Sequence, residues 1–327
     1  MKPVDPAKLP MLQNFDLFGE LRSAIRRSGL AHEESSGIGA YLAASSRFFR
    51  DSLRLALREQ TEGSADYLVH RIASLFPSGT FVEISHDSKE EWKRFRNDSE
   101  RRVVYLPEGD RSGAEGTANR FEVGARRLTW AIPTKRRERV VEQIEKVEAA
   151  FACISANHGF YEEYEPRWLT MQLGKPPWDE EPGGQLSKLE LRQWHQVQAL
   201  AERRAQAGIS LPDWMEVVVE QSCADYRAAR HLPTFLQAWK TMCLLRSLQK
   251  GAKNNWQGPL VASFEDFAAT GMLMRKLFKE GHWFPSPKKI FATIGNAGDE
   301  TSVLSPITGK GVVYQNPKKR PAWAPVI

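Results

Sequence analysis

The order of apolar and polar residues predicts two helices near the start of the chain. Apolar residues repeat at helical spacing from residue 15 to residue 29, and Gly29 suits the C-cap of the first helix. The repeating positions are Leu17, Phe18, Leu21 and Ile25. Residues 33–49 continue the pattern with several small residues, which would let this helix pack closely against a neighbour.

Shorter apolar runs follow, and they predict buried strands. Residues 53–58 alternate apolar with basic side chains, as a half-buried strand does. The runs at residues 102–106 and 151–155 are compact and apolar, and a further short strand is expected at residues 80–85.

The segment between the runs at 102–106 and 151–155 predicts a hairpin and a helix. Residues 121–123 and 128–132 would pair as two strands across Gly124. Residues 138–148 are expected to form a charged helix with one apolar face. The inward positions of that helix are Val140, Val141, Ile144 and Val147.

A break in composition at residues 174–184, GKPPWDEEPGG, precedes a region of helical patterns. Ser187 and Glu190 have the spacing of a capping box, which would start a helix that runs to Gly208. Two further helices are predicted to begin at Pro212 and Pro233. Two more are predicted at residues 264–279 and 287–294, and a strand is predicted at residues 312–315.

Composition narrows the class of protein without revealing its chemistry. Among 327 residues, 46 lysines and arginines against 40 aspartates and glutamates give a net charge of +6, which suits nucleic acid but does not require it. The three cysteines are too few for a disulfide framework, and the seven histidines show no metal-binding spacing. No apolar run is long enough to span a bilayer, so a soluble protein of a reducing cytoplasm is expected.

After the first predicted strand, residues 59–77 read as a glycine turn and an amphipathic helix, where a nucleotide-binding domain would have its phosphate loop. Such a loop needs a lysine for the β and γ phosphates and a hydroxyl group for Mg²⁺. Gly63 is instead followed by Ser64, Ala65 and Asp66, and an aspartate repels phosphate oxygens. The phosphate-loop pattern fails here and occurs nowhere else in the chain.

Taken together, these segments resemble the AAA+ class of P-loop ATPase module found in primase–helicase proteins of bacterial plasmids, phages and integrative elements. That module is distantly similar to minichromosome-maintenance helicases. The resemblance covers roughly residues 12–291 and rests on the order and spacing of its segments. They are residues 29–49 (GLAHEESSGIGAYLAASSRFF), 67–77 (YLVHRIASLFP) after Walker A, 103–108 (VVYLPE) at Walker B, 151–157 (FACISAN) at sensor 1, 165–169 (EPRWL) at the arginine finger and 230–246 (RHLPTFLQAWKTMCLLR) at the lid helix with sensor 2.

The resemblance implies a degenerate nucleotide site. Walker B needs an aspartate before its glutamate, and Pro107 stands in that position. Loss of both the phosphate lysine and the metal carboxylate removes most of the electrostatic stabilisation of phosphoryl transfer. No catalytic residue, metal or cofactor is therefore expected. The remnant site would consist of Gly63, Ser64, Glu108, Asn157 and Arg230.

Several of these residues have an ordinary structural interpretation as well. Arg167 would either act as an arginine finger on a neighbouring subunit's nucleotide or stack on the indole of Trp168. Asn157 would either serve as sensor 1 or cap backbone groups at a strand end. Glu108 would otherwise be a loop carboxylate, and Arg230 a solvated helix residue.

The resemblance also implies the fold and its divisions. We expect an α/β protein with an AAA+-like P-loop three-layer core, an all-α lid and a small C-terminal segment that is either winged-helix-like or a disordered basic tail. The expected divisions are residues 1–49 for an N-terminal helical segment, 50–173 for the core with degenerate Walker motifs, 174–184 for a linker, 185–280 for the lid and 281–327 for the basic C-terminal segment.

The expected function is that of a pseudo-ATPase, a DNA-binding or assembly accessory in the replication or processing of mobile-element DNA. It would assemble with itself or with a related active ATPase. Two alternatives stay open: a component of a phage-defence or anti-defence system that binds protein and no DNA, and an active ATPase or helicase subunit with an unrecognised loop. The expected DNA contacts are Lys288, Lys289, Lys310, Lys318, Lys319 and Arg320.

Overall fold

The computed structural model describes residues 9, 12, 16–59, 61–84, 91, 95, 100–107, 120–122, 127–133, 139–144, 151–156, 169–174, 186–215, 218–219, 226–250, 258–277, 301–304 and 311–314. The α-helices in these ranges are α1 (Leu17–Ile25), α2 (Glu34–Ser45), α3 (Ser64–Ala73), α4 (Lys188–Ala205), α5 (Tyr226–Lys250) and α6 (Phe264–Leu277). The strands are β1 (Arg54–Arg58), β2 (Phe81–Glu83), β3 (Arg102–Leu106), β4 (Arg120–Glu122), β5 (Arg127–Pro133), β6 (Arg139–Ile144), β7 (Phe151–Ala156), β8 (Leu169–Gln172), β9 (Ile209–Ser210), β10 (Leu260–Val261), β11 (Thr301–Leu304) and β12 (Gly311–Tyr314).

Five of the described strands form a parallel sheet in the order β2–β3–β7–β1–β8. Leu57 pairs with Ala156, and Leu106 pairs with Ser155, so the carboxyl ends of β1, β7 and β3 lie level with one another. The predicted α/β fold with a parallel sheet is confirmed.

One face of this sheet packs against helices. Alternate strand residues such as Leu55, Val103 and Ile154 belong to one continuous apolar cluster with the buried side chains of α2 and α3. On the other face, Val104 and Cys153 are buried as well. Burial on both faces explains why these strands are apolar runs rather than strict alternations of apolar and polar residues.

Helix α2 is buried along most of its length and joins the sheet to the later helices. Every residue from Ser36 to Ser45 is buried, and the helix lies against β7, β1, α5 and α6. A Cβ atom added at Gly37 would lie 2.9 Å from Cγ2 of Ile25 in α1. The small residues of this segment therefore permit the close packing that the sequence predicted.

A buried polar network ties the end of α2 to α4. Arg47 Nη1 donates to Gln198 Oε1 at 2.8 Å, and Gln198 Nε2 donates to the Tyr41 hydroxyl at 2.7 Å. Burial lowers the pKa of the Arg47 guanidinium to about 10 and raises the pKa of Tyr41 above its ordinary value. The Gln198 amide therefore supplies polar partners to both groups in the apolar core.

The later helices pack on this core through specific contacts at their ends. Ser187 and Glu190 form the predicted capping box at the start of α4. Arg246 of α5 pairs with Glu265 at 3.3 Å and with Asp266 at 3.1 Å, both in the first turn of α6.

Within the described ranges, no helix combines the length and the apolar character needed to cross a membrane.

Most of the predicted strands and helices are confirmed. The runs at 53–58, 102–106 and 151–155 form β1, β3 and β7, and the hairpin predicted across Gly124 forms as β4 and β5. Residues 264–277 form α6. The strand predicted at residues 312–315 forms as β12 and pairs with β11. The winged-helix-like arrangement and the division into five segments stay predictions.

The helix predicted at residues 138–148 is wrong, because β6 covers Arg139–Ile144 and pairs with β5 in antiparallel register. Val140, Val141 and Ile144 are β-branched and therefore favour a strand. Pairing with a neighbouring strand stabilises that conformation more than the helical spacing of these residues stabilises a helix. The predicted helix start at Pro233 is also wrong, because Pro233 lies inside α5. Packing of Phe235 and other core residues offsets the hydrogen bond that proline removes.

Candidate functional site

The candidate site lies where β1 ends and the chain turns into α3. The neighbours of β1 in the sheet are β7 and β8, whereas the next strand in sequence, β2, lies at the far edge. In open α/β sheets, ligands bind at the carboxyl ends of the strands where the connections change direction in this way. The loop at residues 59–63 is therefore the position that a phosphate loop would occupy.

The loop is a tight turn centred on a glycine. Gly63 adopts φ 81° and ψ −2°, a left-handed conformation that glycine adopts without steric cost. Ser64 N donates to Thr61 O at 3.2 Å, and Tyr67 N donates to Gly63 O at 3.0 Å, so α3 begins directly after the glycine. The predicted strand, glycine turn and helix are confirmed.

The residues that follow this glycine are not those of a phosphate loop. When Gly63 is matched to the second glycine of G-x-x-x-x-G-K-[ST], Arg58 stands at the first glycine, Ser64 at the lysine and Ala65 at the hydroxyl residue. Ser64 is only 5% exposed. It supplies neither the reach nor the charge of the lysine.

A carboxylate caps the first turn of α3. Glu59 follows β1 directly and is 8% exposed, and its Oε1 accepts a hydrogen bond from the backbone N–H of Ala65. Gly63 at the N-cap offers no side chain, so Glu59 supplies the acceptor that a capping residue would provide.

A second carboxylate lies in the same turn and contacts the sheet. The hydroxyl group of Tyr105 on β3 donates to Asp66 Oδ1. Tyr105 is 2% exposed, and its pKa is raised first by burial and then by the hydrogen bond and the negative charge of Asp66. Glu59 and Glu83 raise this pKa further, so the electrostatic environment of the phenol is negative.

One buried hydroxyl group lies in the same turn, and a second lies on the opposite face of the sheet. In the described part of the chain, Ser64 Oγ and Ser155 Oγ are buried and make no hydrogen bond. Ser64 is the first residue of α3, and Ser155 on β7 pairs in register with Ala56 of β1 and Leu106 of β3. Buried hydroxyl groups without a protein partner are uncommon in folded proteins.

The fold is similar to that of an MCM homolog. The crystal structure of a full-length MCM homolog from Methanopyrus kandleri matches this chain with a TM-score of 0.50 and 14% sequence identity. The match covers 85% of this chain and 62% of that one, so this chain spans less than two thirds of that protein's length. The sequence matches no protein-family model and none of the curated proteins.

This comparison bears on the fold alone, because the identity is low. The predicted distant similarity to minichromosome-maintenance proteins is confirmed at that level. The closer resemblance to primase–helicase modules stays a prediction, and so do the roles that it gives to individual residues.

The structure brings two of the predicted site residues, Gly63 and Ser64, to this position. Gly63 and Ser64 form the turn into α3, and Arg230 lies near the start of α5. Glu108 and Asn157 lie outside the described residues, although they follow the strand ends of β3 and β7. Arg167 and the six basic residues of the predicted DNA contact also lie outside the described residues. Those six are Lys288, Lys289, Lys310, Lys318, Lys319 and Arg320.

Sequence reasoning missed Glu59 and Tyr105. Both carried a signal: Glu59 is an acidic residue directly between the strand and the glycine turn, and Tyr105 brings a polar hydroxyl group into the apolar run of β3. Only the packing of α3 on the sheet shows that their polar groups meet the first turn of this helix. Among the described residues, no group of three or more His, Cys, Asp or Glu side chains is arranged to hold a metal ion.

Proposed function

We propose that this chain is a non-catalytic AAA+-like protein, a pseudo-ATPase that serves as a DNA-binding or assembly accessory in the replication or processing of mobile-element DNA. Its sheet would act as a scaffold, and its partners would be further copies of itself or a related active ATPase. The similarity in fold to an MCM homolog supports a role connected with DNA replication.

One observation is the main support for the proposed lack of ATPase activity. At the carboxyl end of β1, the position of the phosphate lysine is taken by the buried Ser64, and that of the Mg²⁺-binding hydroxyl by Ala65. Catalysis of phosphoryl transfer consists largely of positioning and charge stabilisation by these groups and the metal. A site without both has little left with which to lower the barrier.

The charges around the loop support the same proposal. Glu59 and Asp66 bring two carboxylates to the first turn of α3, where a nucleotide would bring phosphate groups of the same sign. Like charges at short distance repel strongly in a partly buried site. Nucleotide binding would therefore cost more here than at a turn of neutral residues.

The DNA contact would come from the basic C-terminal segment. Its lysines and arginine would neutralise phosphates, and such binding weakens steeply as salt rises because counterions are released on binding. Arg167 would contribute to assembly, since an arginine finger acts on the nucleotide of a neighbouring subunit and needs no phosphate loop of its own.

Fluorescence anisotropy with labelled DNA tests the accessory role. Without nucleotide, the protein is expected to bind DNA, with an affinity that falls as salt rises. The double variant Lys318→Ala, Lys319→Ala should reduce the magnitude of the slope of log binding constant against log salt concentration by about 2 if both residues contact phosphates.

The double variant Lys188→Ala, Arg192→Ala is the matched control, because it removes two exposed basic residues from α4. It should leave binding unchanged. Absence of binding at every salt concentration would instead favour a component that contacts only proteins, and equal effects of the two double variants would contradict the proposed contact.

A further inference from the structure

The hydrogen bond between Glu59 and Ala65 joins a side chain at the end of β1 to the second residue of α3. The first turn of a helix presents backbone N–H groups without partners in the helix, and its dipole favours negative charge. Phosphate groups bind at helix N-termini for this reason. In this chain the negative group that meets the turn belongs to the protein itself.

The neighbouring atoms fit the same interpretation. Ser64 Oγ, at the first residue of α3, is buried and makes no hydrogen bond in the described part of the chain. A hydroxyl group at this place would donate readily to a phosphate oxygen. Gly63 has no side chain that would hinder close approach of a ligand to the backbone of the turn. The turn thus retains donors suited to an anion, while Glu59 occupies one of them.

We propose that Glu59 is a tethered substitute for a bound phosphate, which fills the helix N-terminus and excludes phosphate-bearing ligands from it. This inference rests on the proposed function and goes further, because it places the Glu59 carboxylate in the position of a phosphate rather than only beside it. A tethered group competes at a high effective concentration, so a free anion would have to displace it as well as overcome its charge. Removal of the Glu59 carboxylate should uncover a site for phosphate.

The experiment compares the Glu59→Ala variant with the natural chain in the presence of inorganic phosphate. We expect the midpoint of thermal unfolding of the variant to fall by a few degrees, because the turn loses its cap. Hydrogen exchange at the Ala65 amide should accelerate by about tenfold. Phosphate should raise the midpoint of the variant in a saturable way and slow this exchange again.

Glu62→Gln is the matched control, since it removes an exposed carboxylate from the same loop. The control and the natural chain should share the same small, non-saturable response to phosphate. The Glu59→Gln variant retains an acceptor for the Ala65 N–H without the charge, so it stays close to the natural fold and should show a weaker gain of phosphate binding. A folded Glu59→Gln variant that responds to phosphate no more than the control overturns the inference, even if Glu59→Ala fails to fold.

The proposed function is tested separately, by binding of ATP to the natural chain. If the natural chain binds no ATP and the Glu59 variants gain no phosphate response, only the tethered substitute is wrong. If the natural chain binds ATP, the pseudo-ATPase is wrong whatever the variants do.

Discussion

Tyr105 connects the middle of the sheet to the first turn of α3, where its hydroxyl group donates to Asp66. Its pKa lies above the ordinary value of 10.0, chiefly because of burial and then because of Asp66. The folded protein therefore keeps this phenol protonated at pH values where an unfolded chain would release the proton. Folding stability that depends on the neutral phenol is fully present below pH 10 and is lost as the pH rises above it.

We therefore expect Tyr105→Phe to flatten the alkaline loss of stability. Above pH 10, each further pH unit should reduce the free energy of unfolding by up to about 1.4 kcal/mol for each such tyrosine, and the variant should lack one such contribution. The measurement is urea unfolding of both proteins at pH 9 and pH 11.

Asp66→Asn provides a second comparison, because it removes the charge beside the phenol but leaves its burial. Because burial is the chief cause of the raised pKa of Tyr105, the alkaline loss of this variant should stay close to that of the natural chain and exceed that of Tyr105→Phe. Equal losses in the natural chain and in Tyr105→Phe would show that Tyr105 ionises in the folded state as readily as in the unfolded one.

For single residues, the sequence predicts which side chains the site lacks better than it predicts which polar groups meet there. The absence of a lysine after Gly63 is visible in the sequence, and so is the left-handed conformation that glycine allows. The hydrogen bonds of Glu59 and Tyr105 are not, because each depends on how α3 lies on the sheet. A local pattern contains no information on such contacts until the fold is known.

Gly37 sets the distance between α1 and α2, since a Cβ atom there would lie 2.9 Å from Ile25 Cγ2. We expect Gly37→Val to destabilise the protein by about 1–3 kcal/mol, as overpacking of a close helix contact does. Chemical unfolding gives this value directly. Ser35→Val adds the same side chain to a partly exposed position of the same helix and should change the stability much less. Equal losses in both variants would contradict the role given to this contact.

Among the elements, most apolar runs and the capping box were predicted well, whereas β6, β8 and the helix start at Pro233 were not. The strands β1, β3 and β7 are buried on both faces, so their compact apolar runs are a strong signal. The helix predicted at residues 138–148 is wrong because Val140, Val141 and Ile144 fit a helical period as well as a strand, and only the pairing of β6 with β5 decides between the two. β8 was missed, although Leu169 and Met171 are buried and alternate with more exposed residues.

At the scale of the whole molecule, the N-terminal helices, the sheet and the later helices share one apolar cluster. Helix α2 is central to it, because it contacts elements on both sides. The division at residues 1–49, 50–173 and 185–280 stays a prediction, and described residues from all three ranges belong to this cluster. The loop after β1 is built upon that core.

Calorimetric titration of the natural chain with ATP and Mg²⁺ tests whether this core binds nucleotide. We expect no saturable heat of binding, because Ser64 and Ala65 stand at the positions of the phosphate and metal ligands while the carboxylates of Glu59 and Asp66 repel phosphate groups. Saturable binding with a dissociation constant in the micromolar range would show that the loop accepts nucleotide in spite of its residues, and the proposed pseudo-ATPase would be wrong.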